Sequence, residues 1–512
     1  MKKMYRFLRK YHKWSGIILT LFLILFSVSG IILNHRQTFA KISIDRKHLH
    51  KAYRYNKWNI ASVKEMYKLS PDSVFAYGNI GIWLTDSTLS QFEDFNAGFP
   101  EGVDYRKAFK ILRYDNQLYA GMLYGFYRYD SNAREWKMIE LPIREKNVVD
   151  MAVEDGEMLV MTRSHMLKTK DGKHFEEIKL PPPEGFDNKV GLFKTLWVIH
   201  SGEIYGRIGI LVVDLIAIIT IFLSVTGIIL YISKENIKRH KSNPVAKKKN
   251  LKQYRWNIKW HNKIGWTTAI LLIITTTTGI FLRPPLLAAI FKTNVAKIPY
   301  TELDTPNPWY DILRRIIYLP ENDIHVISTY DAFYYSPDEF KTMIKFEEQP
   351  PASVMGVTVL EDLGKDKLLI GSFEGLFEWN FQTGHVFDAI KKVDYVKPEK
   401  AGPPVGDYKV SGYGFNTDGD KILFDYEFGA LGVDKKVHFP EMPENILKES
   451  PMSLWGLSLE IHTGRIYTPI LGIFYVLVVP LVGLFAIFCI VAGFVIWYRY
   501  YRKTGRKTKA IR

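Results

Sequence analysis

The chain has 512 residues, 47% of them hydrophobic, and a net charge of +16. The basic excess crowds into three segments, 1–13, 233–259 and 499–512, each abutting a long apolar run. This excludes a nucleic-acid surface as the reason for the charge and marks a membrane topology signal that also suits anionic lipid. The single cysteine, Cys489, excludes an internal disulfide and a thiolate metal site.

In chain order, residues 1–33 hold a basic cytoplasmic N-terminus and a first transmembrane helix. Its apolar run, Ser15–Leu33, is followed by Asn34 and His35 with no small-residue cleavage pattern, so it reads as a retained helix and not as a signal peptide. Residues 34–199 form a first outer segment, 200–232 a second helix and 233–260 a basic cytoplasmic loop. A third helix at 261–282, a second outer segment at 283–459, a fourth helix at 460–498 and a basic cytoplasmic tail at 499–512 complete the pattern. The runs Ile208–Ile232, Ile264–Leu282 and Pro469–Tyr498 join the first in meeting the ~20 residues a spanning helix needs. Positive ends put both termini and the basic loop inside and the two long polar segments outside.

The outer segments read as short strands. Similar stretches begin at Val74, Leu118 and Met158 in the first segment, and at Asp323, Lys367 and Lys421 in the second. Aromatic, Gly and Asp-turn signals recur about every 40–45 residues, the period of propeller blades. The two segments form either one composite propeller or two small sheets. The Gly- and Pro-rich loop Ala401–Asp407 is either an ordinary turn or part of a binding surface.

The helices repeat. The stretch from Arg9 and the stretch from Asn257 read almost as copies, each with a histidine, His12 or His261, at the mouth of its apolar run. Likewise the stretch Leu196–Tyr205 parallels Leu459–Tyr467, which matches His200 with His462. A small residue and a glycine recur late in all four helices: Ser29-Gly30, Thr226-Gly227, Thr278-Gly279 and Ala492-Gly493. Such glycines let a backbone or a flat ligand approach closely. Because helix direction alternates, one face offers His12 and His261 with Gly227 and Gly493. The other offers His200 and His462 with Gly30 and Gly279. Intramembrane histidines are functional candidates, and imidazole pairs suit haem iron. The competing reading makes them interfacial anchors.

His35 ends the first helix on the outer side and is a further candidate ligand there, although its repeat counterpart is Pro284. Asp214 is a costly carboxylate within the second helix, with either a proton- or propionate-linked role or a partner on a neighbouring helix. Arg207 and Arg465 flank the outer histidines and either hold haem propionates or snorkel to the interface. His48, His50, His165, His174, His240, His325, His385 and His438 read as surface residues. There is no Cys-x-x-Cys-His attachment motif, so any haem is non-covalent. No phosphate-cradling loop, zinc-protease motif, nucleophile elbow or dinucleotide fingerprint is present, so electrons come from a separate donor.

The Tyr-His-Lys-Trp-Ser-Gly entry at 11–16, the Ser-Gly-Ile-Ile-Leu-Asn-His exit at 29–35, and the His-Ser-Gly and His-Thr-Gly openings resemble the PepSY-associated transmembrane family. The resemblance covers the helices; the outer segments depart from the small helix-and-strand units typical of that family. It implies a bacterial inner-membrane protein with haem b, of the type that reduces a ferric siderophore on the periplasmic side. By position it carries the ligand role to His12, His261, His200 and His462, with His35 as the further candidate. The expected architecture is a four-helix membrane bundle of two repeated two-helix units plus a β-rich periplasmic domain. Two b haems in series would pass electrons from a quinol or a cytoplasmic reductase to a ferric siderophore or other iron chelate. The rival expectation is a non-enzymatic, membrane-anchored sensor or assembly module.

Overall fold

Ten α-helices are described in the computed structural model, which covers residues 2–86, 89–240, 242–353, 356–397, 406–416, 419–434 and 439–509. They are α1 (Lys2–Asn34), α2 (Leu192–Ser201), α3 (Gly206–Arg239), α4 (Pro244–Thr267), α5 (Ala269–Phe281), α6 (Leu286–Ile290), α7 (Glu444–Glu449), α8 (Leu454–His462), α9 (Thr468–Leu471) and α10 (Val478–Lys509). The chain divides into a helical unit (Met1–Phe39, Asn188–Asp304 and Leu454–Arg512) and a β-rich unit (Ala40–Asp187 and Thr305–Ser453).

In the helical unit α1 packs against α3, α8 and α10, α3 against α4, and α5 against α2 and α10. Its buried centre is small, Leu19, Val482, Ala486 and Cys489, while Ile18, Leu21, Ile208, Leu211, Ile270 and Ile473 stay exposed. Apolar side chains turned outward on long helices suit a lipid solvent. Among the described residues three helical spans are long and apolar enough to cross a membrane: Lys3–Asn34, Glu203–Arg239 and Arg465–Arg499. The third expected span is not one straight helix. It is the pair α4 and α5, bent by 64°, which meets the criterion only when taken together. The bend falls where Thr267 and Thr268 turn their hydroxyls back onto the carbonyls of Lys263 and Ile264, a bonding pattern that bends helices.

The segment boundaries also move. Residues 34–39, 188–199, 283–304 and 454–459, read from sequence as parts of the outer β-rich segments, belong to the helical unit. α2 and α8 are short helices set ahead of the long ones. Each ends at a glycine in the left-handed region, Gly202 (φ 86°) and Gly464 (φ 76°), before the chain turns into the next helical segment. Both histidines of the second repeat sit on these short helices. The basic stretch 233–260 is largely helical: α3 runs to Arg239, and α4 starts at a Pro behind an Asn243 side chain that caps Ala246 N–H.

Among the described residues the β-rich unit contains, besides one two-stranded pair, six antiparallel sheets, three from each outer segment, spanning 65–94, 108–139, 148–178, 313–345, 359–394 and 410–432. The first strand of each packs on its neighbours in order. The last returns to the first through a parallel bridge between Glu65 and Tyr413, so that these two sheets count as one of seven strands. The strands Ser43–Ile44 and Met452–Ser453 pair where the chain enters and leaves the ring. Two-residue turns such as Asp115-Asn116 and Lys365-Asp366, with both φ positive, close the hairpins, as primed turns require. Trp58, Trp83, Trp136, Trp309 and Trp379 fill the packing within and between sheets.

The inward register carries charge. Glu65, Lys110, Asp150 and Arg315, each from the first strand of a different sheet, are linked by ion pairs: Lys110–Glu65 at 2.6 Å, Arg315–Glu65 at 3.3 Å and Arg315–Asp150 at 3.1 Å. Glu361, from the fifth sheet, joins the same electrostatic cluster. Burial opposes the charge on Glu65, yet Lys110 and Arg315 outweigh it and hold its carboxyl below the ordinary range. Burial, with Glu65 nearby, pushes Glu361 the other way. Glu361→Gln is therefore expected to leave the melting temperature at pH 8 unchanged or raised, since it removes the disfavoured charge.

His325, read from sequence as a surface residue, is 3% exposed, paired with Glu154 and packed on Tyr318 and Phe340. In Ala401–Asp407, residues 401–405 lie outside the described residues, as does His438.

Candidate functional site

The four repeat-related histidines meet in two pairs. His12 on α1 and His261 on α4 have ring centroids 6.3 Å apart at 77°. His200, in the last turn of α2, and His462, the last residue of α8, have centroids 5.9 Å apart at 53°.

Each ring is held from behind in the same way. His12 Nδ1 donates to Cys489 O (2.9 Å), four residues before Gly493. His462 Nδ1 reaches Phe26 O (3.0 Å) and Ser29 Oγ (3.0 Å), respectively four residues and one residue before Gly30. His200 Nδ1 reaches Thr275 O (2.9 Å) and Thr278 Oγ1 (3.3 Å), set identically before Gly279. His261 Nδ1 meets Thr226 Oγ1 (2.9 Å), the residue before Gly227. The recurrent small-residue–glycine pair is thus a seat for an imidazole. A Cβ on the glycine would stand 3.2 Å from His462 Cε1 at Gly30, 2.7 Å from His200 Cε1 at Gly279 and 3.0 Å from His12 Cε1 at Gly493. At Gly227 it would stand 3.8 Å from His261 Cε1. The glycines admit a ring edge from a neighbouring helix.

The seats fix the tautomer. The carbonyls only accept, and the Thr226, Ser29 and Thr278 hydroxyls spend their protons on carbonyls of their own helices. Each Nδ1 must therefore carry the hydrogen, which leaves Nε2 with its lone pair. Among the described residues every hydrogen bond to these four rings falls on Nδ1, and none engages Nε2. A carbonyl behind Nδ1–H also raises ligand basicity, the usual outer support of a metal-bound imidazole. Two imidazoles on opposite sides of one metal, at about 2 Å per metal–nitrogen bond, have centroids about 6 Å apart. Both pairs fit that spacing. Among the described residues no three His, Cys, Asp or Glu side chains gather as a metal cage, so a metal held by either pair would need further ligands from outside the chain.

The other candidates lie elsewhere. His35 does not join the His200–His462 pair: its Nε2 is 2.6 Å from Asp214 Oδ2, so the nitrogen a metal would need is engaged. Asn34 completes the contact, donating to Asp214 Oδ1 (3.3 Å) and to Ser201 O (3.2 Å). Asp214 thus finds its partner on a neighbouring helix. His35→Ala leaves that carboxylate under-satisfied. It should cost the helical unit about 1–3 kcal/mol, read as a lower melting temperature in detergent, with Asp214→Asn in the same background recovering part of the loss. Arg465 is turned onto Glu460, with Nε at 3.1 Å from both oxygens and Nη2 at 2.5 Å from Oε1. Arg207 is exposed on the first turn of α3. Neither is a free guanidinium facing the pair. The sequence reading missed Arg283, a half-buried cation just past the end of α5 whose Nε is buried without a hydrogen-bond partner. Its signal was a lone charge closing an apolar run, at the repeat position that Asn34 holds in the first half.

No curated protein matches the chain. Solved structures resemble it weakly. The extracellular domain of the putative one component system BT4673 from B. thetaiotaomicron is 10% identical, with a TM-score of 0.37, over 77% of this chain and 35% of that one. The computationally designed Ika8 protein is 9% identical, with a TM-score of 0.28, over 73% and 96%. PorZ, a surface component of the type-IX secretion system of Porphyromonas gingivalis, is 10% identical, with a TM-score of 0.26, over 76% and 38%. The chain spans about a third of the length of the first of these. The family described as PepSY-associated TM region matches residues 161–499, a stretch that contains His200, His261 and His462. With its apolar helices and repeated histidine seats, this membrane protein belongs to the PepSY-associated TM family.

Proposed function

We propose that the chain is a bacterial inner-membrane oxidoreductase that uses two non-covalent b haems to pass electrons across the bilayer to a periplasmic ferric chelate of the siderophore type. The observation that carries this reading is the meeting of four repeat-related imidazoles in two pairs, each Nδ1–H tied to its seat and each Nε2 left as a lone-pair donor. Bound haem supplies one-electron chemistry at the iron. The rest is the chain's own work. His12 and His261 hold one group and His200 and His462 the other, the seats keep each ring in one tautomer, and the apolar helices keep water away.

The two sites sit far apart along α1. His12 belongs to one, and Gly30, which seats His462, to the other; they are separated by about 27 Å at about 1.5 Å per residue. That separation is close to the ~30 Å hydrocarbon core, so two relay points serve a crossing that one would not. In this reading α4 and α5 together make the fourth span. The basic ends lie in the cytoplasm, where they meet anionic lipid. The six-sheet ring is a six-bladed periplasmic propeller built from both outer segments, and it selects the chelate. The absence of a dinucleotide fingerprint leaves a quinol or a separate cytoplasmic reductase as the electron donor. A sensor or assembly module on a plain membrane anchor has no use for four matched imidazoles.

The detergent-purified full chain is expected to show a Soret band that shifts on dithionite reduction, with two haems per polypeptide by pyridine haemochrome. A colourless protein that takes up no added haem would overturn the proposal. Gly279→Val should act on one site alone. A Cβ there would already crowd His200, so haem content is expected to fall toward one per chain while the His12–His261 site keeps its spectrum.

A further inference from the structure

Arg283 stands four residues beyond Gly279, the glycine that seats His200. Its N–H closes onto Ile280 O at 3.3 Å, and Ile280 is packed against Gly483 of α10, so its side chain starts from a fixed point. Its guanidinium is hydrogen-bonded to the Tyr475 side chain and lies within electrostatic reach of Arg465 and Glu460, and of His462. Within this group the carboxylate of Glu460 is taken by Arg465. Among the described residues Arg283 Nε is buried and has no hydrogen-bond partner of its own. A buried donor on a charged group that finds no acceptor is costly, and such an atom points to a group not supplied by the chain. A guanidinium fork is shaped for a carboxylate.

We infer that Arg283, backed by Arg465, forms a carboxylate-binding site beside the His200–His462 pair. The carboxylate comes either from a haem propionate, in which case the inference rests on the proposed haem reading, or from a carboxylate-bearing ferric chelate. Arg283 is a binding residue in both cases. The sequence reading had placed this role on Arg207 and Arg465, of which one is exposed and the other already paired.

The test uses full-length protein in detergent in a His12→Ala background, where His200 and His462 form the one intact pair. The haem-free protein is titrated with iron protoporphyrin IX and with its dimethyl ester, and Arg283→Gln is compared with the parent. If the site holds a propionate, the free acid binds the parent about tenfold or more tighter than the ester, and Arg283→Gln brings the ratio to about one, with Arg283→Lys in between. If it holds the chelate, Arg283→Gln leaves that ratio unchanged. In the otherwise wild-type chain it then raises KM for ferric citrate several-fold and leaves a neutral hydroxamate chelate unaffected. Arg283→Gln protein of unaltered melting temperature that changes neither the acid-to-ester ratio nor the chelate preference overturns the inference. A wild-type chain that takes up neither porphyrin overturns the haem reading instead. The anion site is then judged by calorimetry with ferric citrate: equal binding, or none, in wild type and Arg283→Gln refutes it.

Discussion

His200→Ala is expected to lower haem content to about half that of the wild type and to abolish ferric-chelate reduction. In the proposed reading His462 would then be left without its pair, because among the described residues no other imidazole is in place to substitute. His35, the one other histidine at that end of α1, has its Nε2 on Asp214 at 2.6 Å. The His12–His261 pair rests on seats of its own, Cys489 O and Thr226 Oγ1, and is expected to keep its haem and its reduced spectrum. Loss of one of two bis-histidine sites breaks the relay but not the fold. The matching variant, His35→Ala, should leave haem content unchanged. Pyridine haemochrome on both proteins distinguishes the two imidazoles. Full haem occupancy in His200→Ala, or half occupancy in His35→Ala, would show that His200 and His462 do not share a ligand.

Glu65→Gln should destabilise the six-sheet ring by about 3–5 kcal/mol, the usual cost of breaking a buried ion pair from one side. Glu65 accepts from Lys110 at 2.6 Å and from Arg315 at 3.3 Å, and its side chain is 12% exposed. The amide would leave two buried cations facing Asp150 and a Glu361 that burial holds toward its neutral form, at the point where the first and last sheets close the ring. The effect has a pH signature. With its carboxyl held below the ordinary range, Glu65 contributes stability that is present above the unfolded carboxylate pKa of about 4.3 and is lost as pH falls through its lowered folded value. Glu361, pushed up, has the opposite sign: its contribution is present below the unfolded value and is lost as pH rises through the folded one. Acid unfolding of the wild type and Glu65→Gln should therefore converge at low pH and separate most near neutrality. Parallel curves with a constant gap would show that Glu65 acts by packing and not by charge.

The repeats made the helical site legible early. Duplicated segments keep their inward faces, so His12 was matched to His261 and His200 to His462 by alignment within one chain. The glycines were legible as points of close approach but not as what approaches. The Ser or Thr before three of them read as merely small, while it proves to be a hydroxyl aimed at an imidazole. His35 was harder, because a histidine that ends a helix looks the same whether it faces a metal or a carboxylate. Asp214 lies far away in sequence, and only folding brings it to 2.6 Å. The same limit hid the pairing of Arg465 with Glu460, a neighbour visible in sequence whose geometry was not, and concealed Arg283.

By itself the sequence determined that this is a membrane protein with duplicated helices, histidines at matched depths and strand-rich segments of about 40-residue period, because hydropathy, charge bias and repetition are local properties that survive in one dimension. The tertiary structure decided which partner each polar group takes: the carbonyl or hydroxyl behind each imidazole, the carboxylate beneath His35, the closure of six sheets from two separate segments, the bend between α4 and α5, and the buried Nε left over on Arg283. Those outcomes depend on distances between residues hundreds of positions apart, and a buried polar group is satisfied by whatever the fold brings within about 3 Å of it.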